Sequence, residues 1–314
     1  MVDLFCATNI CACKCRGDYI AGAGNGKVYL GDVYDPLTVT EIDATLKTTV
    51  THTIKTNEPN RRYRKLRVAV KPPYFYLTDG LEAFAFRGTI TDWNASIWID
   101  KVAYFNSFVP IDSSHAAIRA LSSDNNENIL GTMKKEEKDT AVFNSKLLDK
   151  QIDGVFDTDG ILLYNNKHRH LLYVYAYRNE YLTTDPGLQL KIIGNTIDTT
   201  SRAKIKVAYI NNLKASKLAS PARIVNKTAA TDGDFLYVNS KLIRQFEPES
   251  TWSEASIIDV YNFITKAYLF SFHLYDKEHS KVSKFVIDSG RAYALAGRTL
   301  TVYHLDPIPF KKNN

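Results

Sequence analysis

The feature that most constrains the fold of this chain is a turn signal that recurs along it, each time followed by a short apolar strand. Asn-Gly and Asp-Gly favour hairpin turns because both central positions tolerate a positive φ. The six occurrences are Asn25-Gly26 before KVYLGD, Asp79-Gly80 before LEAFAFRG, Asn126 to Asn128 before ILGTM, Asp159-Gly160 before ILLYNN, Asp232-Gly233 before DFLYVN and Ser289-Gly290 before RAYALAG. Their mean spacing, from Gly26 to Gly290, is about 53 residues. This spacing indicates six repeats of a small antiparallel sheet.

Around these turns the apolar residues alternate with period two, which is typical of half-buried strands. The segment LRVAVKPPYFYLTDGLEAFAFRG predicts three consecutive strands, and ILLYNNKHRHLLYVYAYRNEYL predicts a hairpin that turns between residues 165 and 168. The segment ASIIDVYNFITKAYLFSFHLYD predicts two strands joined by a turn at Asn-Phe-Ile-Thr. The 19 Tyr and 15 Phe also favour sheet, because aromatic side chains suit a pleated, half-buried surface.

These patterns predict an all-β fold, a six-bladed β-propeller with blades of about four antiparallel strands. A blade of this size cannot bury its own faces, so neighbouring blades must bury them mutually. We assign residues 17–314 to a single propeller domain. The alternative is a two-sheet sandwich or two all-β domains.

A propeller ring is closed by strands from both ends of the chain in one blade. We expect the last strands, at residues 292–296 and 300–305, to lie beside the first strands, at residues 19–23 and 27–31.

The composition is that of a globular protein, and the charge is mild. The chain has 314 residues, of which 45% are hydrophobic, and a formal net charge of +6. No run approaches the ~18 apolar residues of a transmembrane helix, so none is predicted. The densest basic run comprises Arg61, Arg62, Arg64, Lys65 and Arg67. Nucleic-acid binders usually spread basic charge over a whole face, so this run favours a solvated loop and we expect no nucleic-acid partner.

All four cysteines lie in an N-terminal extension, residues 1–16: Cys6, Cys11, Cys13 and Cys15. Their spacing is not that of a zinc ribbon, a zinc finger or a haem attachment site. Closely spaced cysteines can hold a soft metal, bridge one another or carry a lipid, and these alternatives stay open. Cys11, Cys13 and Cys15 are the candidate metal ligands of this segment. The extension contains no complete secretory signal.

His168 and His170 form the densest histidine cluster of the chain. On a strand they point to the same side, which is a geometry that can bind metal. Their closeness to the turn signal Asn165-Asn166 favours a solvated hairpin tip over a ligand pair.

Other motifs of cofactor or catalytic sites are incomplete. The FDTDG segment, with Asp157 and Asp159, resembles the opening of a calcium loop, but His168 stands where an EF-hand requires Glu. We interpret it as a turn before a strand. AGAGNGKVYLG matches neither a Walker loop nor a dinucleotide fingerprint, and the chain has no G-x-S-x-G motif. The sequence therefore predicts no cofactor and no catalytic residue.

Aromatic residues alternate along several predicted strands, which packing between blades explains most simply. Tyr74, Tyr76, Trp93 and Trp98 lie near predicted loops and are candidates for an interaction surface.

Several longer segments resemble the six-bladed, TolB-like β-propeller proteins of Bacteroidota. These segments are YLGDVYDPL, VAVKPPYFYLTDG followed by FRGTITDW, GLQLKIIGNTIDTTSRAKIKVAYI, and ASIIDVYNFITKAYLFSFHLYD. The resemblance spans roughly residues 19–305 and includes no catalytic signature. It implies the propeller fold and a periplasmic or cell-envelope location. The cysteine-bearing start of this chain differs from the export or lipid signal that such proteins carry.

We therefore expect a non-enzymatic binding or scaffold protein of a bacterial cell envelope, whose loops meet a protein, a peptide or a small ligand. A protein or peptide partner within a membrane-associated complex is the expected partner. The first alternative is an enzyme or redox-associated subunit with its site in the central channel. A deep channel pocket with His, Asp or Arg side chains converging from several blades favours that alternative, and a channel plugged by Tyr, Phe and Leu argues against it. The second alternative is a thiol, lipid-anchor or metal role for the N-terminal cysteines.

Overall fold

The computed structural model describes residues 7–12, 17–210, 215–241, 254–276 and 280–305. None of these residues forms a helix with the length and hydrophobicity of a membrane span. In chain order the strands are β1 (Ala7–Ala12), β2 (Asp18–Gly24), β3 (Lys27–Asp32), β4 (Thr38–Asp43), β5 (Thr49–Thr53), β6 (Lys55–Thr56), β7 (Arg67–Lys71), β8 (Tyr74–Asp79), β9 (Phe84–Thr89), β10 (Asn94–Asp100), β11 (Ser107–Pro110), β12 (His115–Leu121), β13 (Asn128–Lys134), β14 (Thr140–Asn144), β15 (Gly160–Asn165), β16 (His170–Tyr175), β17 (Glu180–Thr184), β18 (Leu190–Asn195), β19 (Val207–Ile210), β20 (Ala215–Leu218), β21 (Asn226–Asp232), β22 (Phe235–Ser240), β23 (Ala255–Asn262), β24 (Ala267–Tyr275), β25 (Val282–Asp288), β26 (Arg291–Ala296) and β27 (Thr299–His304).

Six antiparallel sheets form the blades of a β-propeller, as the sequence predicts. In the order of the chain the blades are β2–β5, β7–β10, β11–β14, β15–β18, β21–β24, and β25–β27 together with β1. The two-residue strand β6 pairs in parallel with β10 at the outer edge of the second blade. A separate hairpin, β19–β20, follows the fourth blade.

The ring is closed by β1, which pairs antiparallel with β27 as the outermost strand of the sixth blade. Within this pair, Ile10 lies opposite Thr301. The predicted closure by strands from both ends of the chain is confirmed. The choice of residues 19–23 and 27–31 as the N-terminal partners was wrong, because they form β2 and β3 of the first blade. Part of the segment that the sequence assigns to an extension, residues 1–16, is thus a strand of the sixth blade.

The apolar core lies between the blades. Within the described residues, one buried cluster occupies each of the six interfaces between neighbouring blades. Tyr29 and Phe75, for example, meet between the first two blades, and Tyr237 and Phe285 meet between the last two. Burying an aromatic side chain of this kind stabilises the fold by roughly 1.5–3 kcal/mol. Each blade therefore depends on both of its neighbours for its stability.

Candidate functional site

The innermost strand of each blade faces a central channel. These strands are β2, β7, β11, β15, β21 and β25, and each pairs with a neighbouring strand on one side only. Small and aliphatic side chains such as Ala21, Ala69, Val109 and Val286 form much of the wall. They leave a cavity of about 380 Å³ towards the C-terminal ends of the six strands. The channel is therefore open at this end rather than plugged by large aromatic side chains.

Four charged side chains line the described part of this cavity: Lys71, Asp232, Lys284 and Asp288. Lys71, Asp232 and Asp288 are the last residues of their strands and stand at the mouth of the channel. Lys284 lies four residues before Asp288 on the same strand, and is therefore deeper in the channel.

Lys71 crosses the mouth from the second blade to the fourth. Its Nζ donates hydrogen bonds to the carbonyl of Ile111 and to Oδ1 of Asn166, both at 2.7 Å, and stands 4.4 Å from the ring centroid of Tyr164. Burial lowers the pKa of Lys71 to about 8, and the charge of Asp112 partly opposes that shift. Lys71 thus joins three blades at the mouth of the channel.

Asp232 and Asp288 occupy equivalent places in the fifth and sixth blades, each just before the turn of the inner hairpin. Partial burial and the charge of Asp288 raise the pKa of Asp232, although the Gly233 backbone and Lys167 oppose the shift. Oδ2 of Asp288 is enclosed and has no hydrogen-bond partner among the described residues. The two carboxylates therefore make this side of the mouth negatively charged.

Lys284 is an ammonium group on an otherwise apolar wall. The period of two along β25 turns Lys284 and Val286 to the channel, while Phe285 between them is fully buried in the core. Burial lowers the pKa of Lys284, and no carboxylate among the described residues offsets this effect. The described residues also provide no hydrogen-bond partner for its ammonium.

The sequence pattern alone does not identify these four charged residues as a site. Asp232 belongs to one of the recurring turn signals and Asp288 directly precedes another. The missing information was which hairpin of each blade is innermost, because only that strand faces the channel.

The two histidines of the predicted cluster lie at the tip of the β15–β16 hairpin and join the fourth blade to the fifth. Nε2 of His168 lies 2.5 Å from Oδ1 of Asp234, and Nζ of Lys167 lies 2.7 Å from Oδ2 of the same carboxylate. The ring of His168 packs edge-on against Phe263, and the ring of His170 lies 6.1 Å from that of His168. The hydrogen bonds from Lys167 and His168 lower the pKa of Asp234. Within the described residues, no group of three or more His, Cys, Asp or Glu side chains is arranged to hold a metal ion.

Of the cysteines, Cys11 lies in β1, with its backbone opposite Leu300. Cys6, Cys13 and Cys15 lie outside the described residues. The metal, lipid and thiol alternatives for this segment therefore stay predictions.

The aromatic residues predicted as an interaction surface belong mainly to the core. Trp93 is only 4% exposed and stacks between His52 and Phe75, with ring centroids 4.7 and 4.9 Å away. It fills the interface between the first two blades. Trp93 is therefore a packing residue.

Trp98 and Tyr76 are also buried, at 2% and 1% exposure, and meet edge-on at the interface between the second and third blades. Tyr74 alone of the four is half-buried, and the guanidinium of Arg87 lies 5.3 Å from its ring centroid. The interaction-surface interpretation was wrong for the three buried residues.

The FDTDG segment is a turn held together by one carboxylate. Asp157 accepts hydrogen bonds from the backbone N–H groups of Gln151, Ile152, Asp153 and Gly154, at 2.5–3.2 Å. A carboxylate has about four lone-pair positions. Those of Asp157 are occupied by backbone donors, so this residue is a structural acceptor rather than a calcium ligand.

The basic run on the way into the second blade pairs with neighbouring carboxylates. Arg61 forms ion pairs with Glu58 and Asp100, and Arg64 pairs with Glu82. These contacts agree with the interpretation of the run as a surface loop.

Comparison with known proteins supports the fold and nothing finer. No protein-family model matches the sequence, and no curated protein matches it. A solved structure of a member of the duf4221 family from Bacteroides vulgatus is 10% identical, with a TM-score of 0.58 over 96% of this chain and 97% of that one. A streptogramin B lyase is 9% identical, with a TM-score of 0.51 over 93% and 94% of the two chains. A catalytically inactive virginiamycin B lyase from Staphylococcus aureus, solved with quinupristin, is 8% identical, with a TM-score of 0.50 over 95% and 99%.

Proposed function

We propose that the protein is a binding propeller whose ligand enters the central channel at the end where the inner strands finish. The observation that supports this most directly is the cavity of about 380 Å³, to which all six blades contribute. Small-ligand sites are concave, mostly apolar and carry a few convergent polar groups, and their volumes start at about 300 Å³. The channel mouth has this character, with two lysines and two aspartates on an apolar wall.

Binding is favoured over catalysis by the kinds of charged residue present. The described lining contains no histidine or arginine, and the ammonium of Lys71 is held by a carbonyl and an amide of the protein itself. Two propellers with a similar fold are lyases, but a shared fold does not transfer an activity. Of the side chains that the enzyme alternative requires, the described lining provides Asp232 and Asp288 from two blades but no histidine or arginine, and incubation with the recovered ligand tests that alternative.

The location and the family remain part of the proposal. The sequence resemblance to TolB-like propellers of Bacteroidota supports a role at a bacterial cell envelope. There the rigid ring would also present its outer loops to a protein or peptide partner.

The test is native mass spectrometry of the full chain, isolated from its own cells without reducing agent. We expect an added mass of a small molecule on the wild type. The variants Ala21→Phe and Ala69→Phe place an aromatic ring in the cavity. Because the ring occupies the space of the ligand, the spectra of these variants should lack the added mass. Their thermal unfolding, measured in parallel, should stay close to that of the wild type.

Two outcomes would count against the proposal. A wild type without any added mass, or an added mass that both filled variants retain, would contradict a ligand in the channel. A recovered ligand that the protein converts to a second compound on incubation would support the enzyme alternative.

A further inference from the structure

The deepest charged group of the channel, the ammonium of Lys284, is suited to bind an anion. The half-buried side chain of Lys284 lies on a wall of side chains such as Ala21 and Val286, and its ammonium lacks a carboxylate partner among the described residues. Removing an ammonium from water is costly unless an anion and hydrogen bonds replace the water. A carboxylate of a bound ligand would provide both.

The mouth of the channel, in contrast, is suited to bind a cation. Asp232 and Asp288 place two carboxylates close enough for one to raise the pKa of the other, and Oδ2 of Asp288 has no partner among the described residues. The nearby cation Lys167 is held by Asp234. An ammonium group of a ligand would relieve the repulsion between the two carboxylates at the mouth.

The distance between the two ends sets the length of the ligand. Lys284 and Asp288 are four residues apart on β25, which corresponds to about 13 Å along an extended strand. An extended chain of three residues spans about 10 Å. The flexible side chain of Lys284 can cover the difference, whereas the two charges of a single amino acid are too close together to reach both ends.

The wall between the ends suits a peptide backbone. Each of the six inner strands is the edge of its sheet, so its outer N–H and C=O groups have no strand partner among the described strands. Such edges bind extended peptides through backbone hydrogen bonds. The cavity of about 380 Å³ admits a tripeptide with small side chains and leaves no room for a folded partner.

We infer that the channel binds a short linear peptide with free ends, with its carboxylate at Lys284 and its amino group at Asp232 and Asp288. This inference rests on the proposed function, since it names the ligand class for the same cavity.

The test measures the binding of matched probes to the full chain by isothermal titration calorimetry after extensive dialysis. The probes are trialanine, trialanine amide, N-acetyl-trialanine and 8-aminooctanoate. The last has similar charge separation but no peptide bonds. We expect trialanine to bind at least tenfold more tightly than each of the other three.

Variants of the protein then show which residues bind the carboxylate of the ligand and which bind its amino group. In Lys284→Met, trialanine and trialanine amide should bind equally, because the group that distinguishes them is gone. In the double variant Asp232→Asn with Asp288→Asn, trialanine and N-acetyl-trialanine should bind equally. Lys284→Met should also unfold at the same or a higher temperature than the ligand-free wild type, since it removes a half-buried charge that has no carboxylate partner among the described residues.

The outcomes separate this inference from the proposed function. If 8-aminooctanoate binds as tightly as trialanine, or Lys284→Met still prefers the free carboxylate, the peptide assignment is wrong while the channel remains a ligand site. If no probe binds and a copurified ligand of another class is displaced by Ala21→Phe, the peptide inference fails and the proposed function survives. If no probe binds and no copurified ligand exists, both fail.

Discussion

In the loop before β15, the pKa values of the neighbouring residues Asp153 and Asp157 shift in opposite directions. Burial and the hydrogen bond to Asp157 raise the pKa of Asp153. Burial also opposes the charge of Asp157, but the hydrogen bond from Asp153 and those from backbone N–H groups outweigh it and lower its pKa. Oδ2 of Asp153 is buried and has no hydrogen-bond partner among the described residues. The loop therefore stabilises the charged form of Asp157 more than that of Asp153.

The two residues should respond differently to the same substitution. Asp153→Asn keeps Oδ1 as the acceptor for the backbone N–H groups of Val155, Phe156 and Asp157, so the free energy of unfolding at pH 7 should change by less than about 0.5 kcal/mol. Asp157→Asn sets an NH₂ group against backbone donors and should cost about 2–4 kcal/mol, since several N–H groups lose their acceptor. Urea unfolding of both variants measures the difference, and equal losses of stability would contradict the conclusion that the loop depends more on the charge of Asp157 than on that of Asp153.

Lys71 should make stability depend on pH in the alkaline range. Its pKa in the folded protein is about 8, below the ordinary value of 10.5, so between these values the unfolded chain binds more protons at this position. The stability that Lys71 contributes therefore rises as the pH increases from 8 to 10.5 and is constant below 8. The difference in free energy of unfolding between the wild type and Lys71→Met should grow in favour of the wild type by about 1–2 kcal/mol over that range, less than the full shift implies because the side chain is partly exposed. Urea unfolding at pH 7, 8, 9 and 10 checks this, and parallel pH profiles would show that burial does not disfavour the ammonium.

The sequence was a poor guide to which residues are exposed at the site. The exposure of a side chain depends on which blades lie beside it in the assembled ring. Trp93 and Trp98 follow turn signals, which suggested a surface, yet neighbouring blades cover them. Lys284 alternates with apolar residues as a solvent-facing lysine on any half-buried strand would. Only the position of β25 at the centre of the ring turns that face to the channel.

At the scale of strands and turns, the recurring turn signals predict the correct number of blades, although the turns do not occupy equivalent positions in their blades. Asn25-Gly26, Asp232-Gly233 and Ser289-Gly290 connect the first and second strands of their blades, whereas Asp79-Gly80 follows the second strand of its blade. Asp159-Gly160 lies at the entry to the fourth blade. Each blade has one strong turn signal, so the mean spacing between signals matches the length of a blade. The position of the signal within its blade differs from one blade to the next. Local turn chemistry therefore predicts hairpins well, and the position of a hairpin within its blade poorly.

The interface between the first two blades should depend strongly on Trp93. Trp93→Ala removes a ring that stacks on His52 and Phe75, and we expect the free energy of unfolding to fall by about 3–5 kcal/mol. Tyr34→Ala is the matched control, because Tyr34 is 81% exposed and should change stability by less than about 0.5 kcal/mol. Urea unfolding measures the free energy of unfolding of both variants. Similar losses of stability in the two variants would mean that Trp93 does not stabilise the interface.

For the molecule as a whole, the closing strand β1 decides whether the sixth blade is complete. Without β1 this blade has three strands, and β27, whose Leu300 and Val302 are fully buried, becomes an exposed edge. The five paired positions between β1 and β27 contribute about 1 kcal/mol each through hydrogen bonds.

Deletion of residues 1–12 should therefore lower the free energy of unfolding by about 3–5 kcal/mol and promote association through the free edge. Deletion of residues 1–6 keeps β1 and is the control, with stability close to that of the full chain. Urea unfolding and size-exclusion chromatography measure the two effects. A monomer of unchanged stability after the longer deletion would show that the ring closes without β1.

The antiparallel pairing of β1 with β27 also determines how the ring would respond to tension. Ala7 lies opposite Tyr303, so the start of β1 and the end of β27 are side by side at one end of the pair. A force that pulls these two ends apart acts on the hydrogen bonds one after another, as in unzipping, rather than on all of them at once. The ring would consequently open at low force when it is held by both ends, and would stay closed when only one end is tethered.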